Sequence, residues 1–393
     1  MQFSPQQALA ADAVGKWLKE PAESSQVFYL AGYAGTGKTT LAKYLAQLQS
    51  GAYGFAAYTG KAASVLTRKG CPATTIHSLI YSVKMPGTDI IRKLQQKITE
   101  STNDIEKTQL VKDLREANRP HFELNVDESG LLELDLLILD EVSMVNEQIA
   151  KDLLSFGKKI LVLGDPGQLP PVEGAGYFTG KRPDIMLTEI HRQALNNPII
   201  AMATMARQGN YLKPGRYGDS LVQRRASNTH EQLATASQVI CGLNRTRNGM
   251  NALIRDWRGH ASVACPEVGE KIICLRNDRE FGILNGTMWN VAKSDDNGLS
   301  VELDLFDWDN GSAEKVIKIS AHPFNVDLKD MAWYDRKRHQ EFTFGYAITC
   351  HKAQGSQWDN VFIQNESYAF KENNSKWIYT ALTRAENKVI VAQ

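Results

Sequence analysis

The run VFYLAGYAGTGKTTLAKYLAQL, residues 27–48, constrains this chain more than any other stretch. It opens on a short continuous apolar segment, VFYLAG (27–32), and after a glycine-bearing loop places Leu41, Leu45 and Leu48 on one helical face. Between the two, Gly32 to Thr39 matches G-x-x-x-x-G-K-[ST] in the context that motif requires, a strand before and a helix after. Such a loop has a specific physics. Gly32, Gly35 and Gly37 let backbone N–H groups of the tight turn, through Thr36 and Thr40, face nucleotide phosphates. Lys38 adds a point charge, and the Thr39 hydroxyl suits Mg²⁺. A glycine-rich turn that merely happens to contain Lys-Thr is the bland alternative, and the flanks argue against it.

Two further apolar runs, LDLLILDE (134–141) and KKILVLGD (158–165), also end in acids. Strands apolar on both faces, separated by helical segments, predict a parallel sheet covered by helices, with the motif residues at the carboxyl ends of strands. Asp140 at such a tip is placed to hold Mg²⁺, and its neighbour Glu141 to act as base on an attacking water. Alone, the pair would read as an acidic cap for the helix that follows; beside the loop it does not. Gln168, in LGDPGQLPPV (163–172), either senses the γ-phosphate and orients water or belongs to a proline-braced turn in which Asp165 is an ordinary turn residue.

Composition narrows the class. At 393 residues, 42% hydrophobic and 23% charged, the chain is expected to be globular with several subdomains. Its 45 Lys and Arg nearly cancel 44 Asp and Glu, so any binding of nucleic acid has to come from local arrangement of charge. Cys71, Cys241, Cys265, Cys274 and Cys350 form no C-x-x-C pair, which predicts a reduced, cytoplasmic protein without structural zinc. The N-terminus lacks a basic region followed by an apolar one, and no run of about 18 apolar residues appears, so neither secretion nor a membrane span is expected.

Along the chain, residues 89–118 carry apolar positions at helical spacing and predict an inserted helical hairpin, and 121–134 could form a small β-hairpin turning at Asp127 to Gly130. YLKPGRYGDS (211–220) reads as a linker, and QVICGLN (238–244) opens a second half. Short β-like stretches from about Gly269 to Val326 have the texture of a small barrel. NVFIQ and KVIVAQ would complete a second α/β sheet. Trp289, Trp358 and Trp377 are assigned to packing.

GYAGTGKTT, YTGKAA, TIHSLI, LLILDEVSM, VLGDPGQLPPV, LTEIHRQ, FTFGYAITCHKAQGSQWDNVFI and YTALTRAENKVIVA occur in the order of the motifs of superfamily 1 helicases. The resemblance is to the 1B branch, of RecD and Dda type. It runs from about Phe3 to the C-terminus and is thinnest at 82–130 and 290–335. It implies an α/β fold of two RecA-like parallel-sheet domains, with an inserted helical subdomain carrying a strand-separating pin and a small SH3-like β-barrel insertion. The implied segments are 1–80 and 135–210 for the first motor domain, 81–134 for its insertion, 211–268 and 336–393 for the second motor domain, and 269–335 for the barrel.

Roles follow residue by residue. FSPQQ resembles an adenine-reading motif with Gln7 as the base contact; Ser4 and Gln7 also fit a helix capping box, and both can hold together. Arg192 and Arg384 are similar to the family's two arginines that reach the γ-phosphate from the second motor domain, where an arginine across a cleft meets charge on the transferring phosphoryl. Gln354 and Gly355 resemble the link between nucleotide and strand track. Thr59, Lys61, Thr75, His77, Asn244, Arg245, Thr349, His351 and Lys352 resemble contacts to single-stranded backbone, a set suited to positioning phosphates without reading sequence. The other arginines of 241–259 read as a solvated helix face, and His191 as a capped or core histidine. Phe122 lies where the pin is expected, with core packing as its alternative.

The resemblance therefore implies an ATP- and Mg²⁺-dependent DNA helicase moving 5′ to 3′ on single-stranded DNA and opening duplex junctions. It is expected to be a monomer that acts with replication, recombination or repair proteins and away from membranes. A single-strand translocase or motor subunit without processive unwinding, and a loader that uses ATP only as a switch, are the rival readings.

Overall fold

LLILD and KILVLG are apolar at every position, and a strand with no polar face has to lie inside a sheet covered on both sides. In the computed structural model both strands are buried throughout. The structure describes residues 3–48, 50–84, 88–117, 121–171, 176–189, 197–260, 265–278, 283–296, 301–307, 317–321, 324 and 339–393. It divides into two units, one of Met1–Ile80, Glu128–Ala261 and Tyr346–Gln393, the other of Tyr81–Asp127 and Ser262–Gly345.

The first unit holds two sheets. One is six-stranded and parallel, with strands β1 (Val27–Gly32), β2 (Tyr53–Ala57), β3 (Ala73–Thr75), β6 (Leu136–Asp140), β7 (Lys159–Gly164) and β8 (Ile185–Leu187) in the order β3-β2-β6-β7-β1-β8. Helices α1 (Pro5–Trp17), α2 (Lys38–Leu48) and α3 (Gly60–Arg68) pack Val14, Leu41, Leu45 and Leu66 onto Leu30, Phe55, Ile138 and Leu161 of the strands. Helices α4 (Ile76–Ile80) and α7 (Glu147–Leu154) complete this half. Because β6, β7 and β1 are adjacent, the turns after Asp140, Gly164 and Gly32 meet at one edge.

The other sheet is mixed. Its strands are β9 (Gly215–Tyr217), β10 (Ser220–Gln223), β11 (Gln238–Cys241), β17 (Ala347–Thr349), β18 (Trp358–Gln364) and β19 (Ala385–Ala392), ordered β17-β11-β18-β19-β10-β9. All pair in parallel except β9, which pairs antiparallel with β10. The stretch read as a linker, 211–220, is thus in part a hairpin at the sheet edge, turning at Gly218 with φ +60°. Helices α8 (Pro198–Arg207), α9 (His230–Ala234), α10 (Asn244–Trp257), α11 (Cys350–Ala353) and α12 (Asn374–Leu382) accompany it. Trp358 and Trp377 are buried in packing, as expected.

In the second unit, α5 (Thr88–Glu100) and α6 (Asp104–Ala117) form the expected pair of helices. The hairpin expected inside 121–134 is not there. Strand β5 (His121–Leu124) instead pairs antiparallel with β4 (Tyr81–Lys84), across the two helices in sequence, with Phe122 opposite Val83. Residues 130–133, which belong to the first unit, form a 3₁₀ turn, whose Leu131 amide donates to the Ser129 hydroxyl at 3.1 Å. A five-stranded antiparallel sheet follows, ordered β15-β14-β13-β12-β16, from β12 (Lys271–Cys274), β13 (Met288–Asp296), β14 (Val301–Asp307), β15 (Ile317–Ala321) and β16 (Phe342–Phe344). Ile272, Trp289, Val291, Leu303 and Phe342 form its core. A single bridge joins Ala321 to Gln340, near the far edge strand. The β-like stretches read from the sequence as a small barrel contribute β12 to β15 of this sheet.

Candidate nucleotide and nucleic-acid site

The loop between β1 and α2 has the backbone that phosphate binding requires. Gly35 and Gly37 lie at φ +80° and +76°, a region that side chains with a Cβ disfavour. Lys38 Nζ lies at the centre of the loop, donating to the carbonyls of Gly32 at 2.6 Å and Tyr33 at 3.1 Å. Gln7 braces the loop from α1: its Oε1 accepts from the Ser4 amide at 3.1 Å, and its Nε2 donates to the Thr36 carbonyl at 3.0 Å. The capping box is present in full. Thr40 is exposed at the mouth.

Beside the loop, Thr39 Oγ1 donates to Asp140 Oδ2 at 2.7 Å. Burial pushes the Asp140 carboxyl up, as does the neighbouring charge of Glu141, while the Thr39 hydroxyl and the Lys38 cation hold it down. Glu141 sits at φ 53° and ψ 45°, a left-handed conformation costly for a residue with a Cβ. The cap alternative for this pair fails. Helix α7 is capped by Asn146, whose Oδ1 accepts from the Ile149 amide at 3.0 Å, and Glu141 makes no cap bond with its side chain. A hydroxyl and a carboxylate side by side form an oxygen donor pair suited to Mg²⁺, which needs only one or two protein carboxylates when phosphates supply the rest. Among the described residues no group of three or more His, Cys, Asp or Glu could hold a metal ion by itself, and all five cysteines are free, buried thiols.

Within the same unit the second sheet reaches this edge. A cavity of ≈ 570 Å³ is lined by Lys38, Thr39, Asp140, Glu141 and Gln168 from the first half and by Gly355 and Arg384 from the second. Arg384 is buried and held by the carbonyls of Thr380 and Ser356 and the hydroxyl of Thr383, at 3.1, 3.2 and 3.1 Å. Arg192 and His191 lie outside the described residues. Gln354 Nε2 donates to the Leu169 carbonyl at 2.9 Å and to Ser143 Oγ at 3.3 Å, and that hydroxyl in turn lies 3.5 Å from Gln168 Oε1. Asp165 is no ordinary turn residue. It is buried, accepts from the Gly167 amide at 2.9 Å and accepts from the Tyr379 hydroxyl at 2.6 Å. That hydroxyl also accepts from the Ala34 amide at 2.9 Å, and the Arg207 guanidinium of α8 lies 3.5 Å over the ring of Tyr33.

The expected track residues are largely engaged in local structure. Thr59 caps α3 through the Ala62 amide (3.1 Å), and Thr349 caps α11 through the Lys352 amide (3.4 Å). The Thr75 hydroxyl bonds Ser78, Lys61 is buried, and His77 lies edge-on to Tyr58. Burial holds both His77 and His351 below the usual imidazole range. Gly355, at φ +74°, comes so close to α3 that a Cβ there would lie 2.7 Å from that of Ala62. Asn244 and Arg245 are exposed at the start of α10, but the arginines behind them do not form one solvated face: Arg255 is buried, and Arg258 stacks 4.9 Å from the Tyr346 ring. The buried Glu366 carboxylate accepts from the amides of Gly242 and Leu243 and from the Thr246 hydroxyl, at 2.8, 2.9 and 2.5 Å. In the other unit Phe122 is 54% exposed, so it is not a core residue, and it meets Tyr81 edge-on.

Sequence reasoning passed over Tyr379 and Glu366 and undervalued Asp165. Tyr379 and Asp165 lie inside matched motifs, but only a long-range contact gives their polar atoms a task.

The chain is similar to known proteins in sequence and in fold. Residues 4–219 match the model of an AAA domain, and residues 344–392 that of a UvrD-like helicase C-terminal domain. The ATP-dependent RecD2 DNA helicase of Deinococcus radiodurans is 30% identical over 284 residues, 66% of this chain and 36% of that protein. The ATP-dependent DNA helicase dda of Enterobacteria phage T4 is 32% identical over 196 residues, 46% of this chain and 37% of that protein. The chain thus spans little more than a third of either relative. Bacteroides Pif1 bound to ssDNA is similar in fold at a TM-score of 0.54 and 20% identity, over 100% of this chain and 92% of that one. A Pif1 structure addressing DNA unwinding at forked dsDNA by two coordinating Pif1 helicases gives 0.58 at 20% identity, with the same coverage.

Proposed function

The chain belongs to the AAA-domain family, as a superfamily 1B helicase of RecD and Dda type, and from that premise we propose that it couples ATP hydrolysis to 5′-to-3′ movement on single-stranded DNA and opens duplex junctions. The observation that carries the proposal is Arg384, delivered from the second sheet into the cavity that holds Lys38, Thr39, Asp140 and Glu141. Cations converging on a transferring phosphoryl group from two lobes tie turnover to the closeness of those lobes.

In this reading the loop amides from Gly32 to Thr40 and Lys38 cradle the phosphates, and Gln7 lies at the adenine end. Thr39 and Asp140 would hold Mg²⁺, which supplies charge neutralisation on the phosphates when bound. Glu141 accepts a proton from the attacking water, Gln168 orients that water, and Arg192 and Arg384 meet the charge that develops. Gln354 and Gly355 connect the pocket to the track formed by Thr59, Lys61, Thr75, His77, Asn244, Arg245, Thr349, His351 and Lys352. Phe122 serves as the pin, and the five-stranded sheet as the SH3-like insertion. The segment boundaries are 1–80, 81–134, 135–210, 211–268, 269–335 and 336–393, and the protein works as a monomer alongside replication or recombination proteins.

A strand-displacement assay tests this. With ATP and Mg²⁺, a 5′-tailed duplex should yield single strands, while a 3′-tailed duplex and an ATP-free control should not. Release from neither substrate, with ATPase unaffected by single strands, would leave the binding-module reading standing instead.

A further inference from the structure

Helix α12 places two consecutive buried side chains, Tyr379 and Thr380, against turns of the first sheet. The Tyr379 hydroxyl satisfies two partners at once, donating to Asp165 Oδ2 at 2.6 Å and accepting from the Ala34 amide at 2.9 Å. Thr380 Oγ1 accepts from the Leu169 amide at 2.8 Å. Asp165 and Leu169 bracket Gln168, and Ala34 adjoins Gly35 in the phosphate loop. Gly167 makes room for the contact, since a Cβ there would lie 3.0 Å from the ring of Tyr379. Two residues past the end of the same helix comes Arg384, bonded back to Thr380 at 3.1 Å.

We propose that Tyr379 is a positioning residue for ATP turnover, its hydroxyl locking the phosphate loop, the Gln168 turn and Arg384 into one register. This rests on the motor reading above. Any separation of the two sheets at this point has to break both Tyr379 bonds, so one hydroxyl registers where the loop stands relative to the arginine. The ring alone does not do this; the oxygen does. It acts through its neighbours and has no need to touch nucleotide.

Tyr379→Phe keeps the ring and removes both bonds. Its single-strand-stimulated kcat should fall by on the order of a hundredfold, the scale for displaced catalytic groups, while the KM for ATP stays within about twofold. Thr380→Val, which loses the Leu169 bond but leaves the phosphate loop tethered, should cost less than about fivefold in kcat. In an Arg384→Ala background, Tyr379→Phe should add almost nothing, because the hydroxyl acts by placing that arginine. Unimpaired kcat in Tyr379→Phe overturns the inference. So do fully additive losses in the double variant, or equal losses in Tyr379→Phe and Thr380→Val that track melting temperature. The wild-type control separates the two claims: wild-type turnover indifferent to single strands overturns the motor reading and this inference with it, whereas a stimulated wild type beside an unimpaired Tyr379→Phe removes only the role of the hydroxyl.

Discussion

The two sheets of the first unit each end a strand in a turn that opens a helix, and the turns spend their polar groups differently. At Gly32–Thr39 the glycines hold the backbone in a left-handed conformation and leave charge and hydroxyl at the pocket. At Thr349–Gly355 the threonine caps its own helix, burial lowers the pKa of His351, and glycine serves close packing on α3. The first turn opens onto a cavity, whereas the second is shaped around its neighbour. A motif that presents its chemistry directly can be read from spacing; one that spends its side chains on support cannot.

That contrast can be broken most sharply in the cavity the first turn faces, at Glu141. Glu141→Gln should leave nucleotide binding near normal and cut turnover by about a thousandfold, in the range found when a group stabilising the transition state is lost. Near-normal steady-state ATPase would reassign the base. Gly355→Ala should come next, destabilising the protein by roughly 2–3 kcal/mol in denaturant unfolding, since it adds a strained φ to an overpacked contact with Ala62. A change below about 0.5 kcal/mol would mean Gly355 is not pressed against α3 in solution.

Thr349→Asp is subtler, because aspartate caps as well as threonine and stability should shift by less than about 0.5 kcal/mol. The new charge beside a phosphate track should still weaken single-strand affinity by about tenfold, and unchanged affinity would take Thr349 off the track. The smallest effect concerns pH. A histidine whose folded value is lowered contributes stability fully above its unfolded value of about 6.5, and loses it as pH falls from there through the folded value. Stability of the wild type relative to His351→Gln should therefore be flat from pH 8 to 7 and decline below about 6.5, measured as the difference in unfolding free energy. A difference that rises on acidification would mean the ring gains a proton on folding.

Much of the architecture was legible in sequence because it rests on local pattern. The apolar runs at 27–32, 136–140 and 159–164 could only be buried strands, and α5 and α6 announce themselves by helical spacing. What stayed hidden depends on partners distant in the chain. Nothing near Phe122 reveals that its strand pairs with residues 81–84 and not with the turn that follows it. Gly and Pro in 211–220 suggested a linker because a short edge hairpin uses the same residues as a loop. Lys38, Asp140 and Glu141, which line one cavity, can be singled out by chemistry at known spacing, whereas Tyr379 is an unremarkable helix residue until it meets Ala34 and Asp165.

Glu366 fills a place where an outside anion could otherwise dock. A helix start ordinarily attracts negative charge through its unpaired amides, and at α10 the donors of Gly242, Leu243 and Thr246 already serve a resident carboxylate. On the proposed reading, an incoming strand would find that docking point filled by the protein's own anion. Under the proposed function, attraction there would fall to exposed side chains such as Arg245, which can meet a phosphate without dismantling a folded niche.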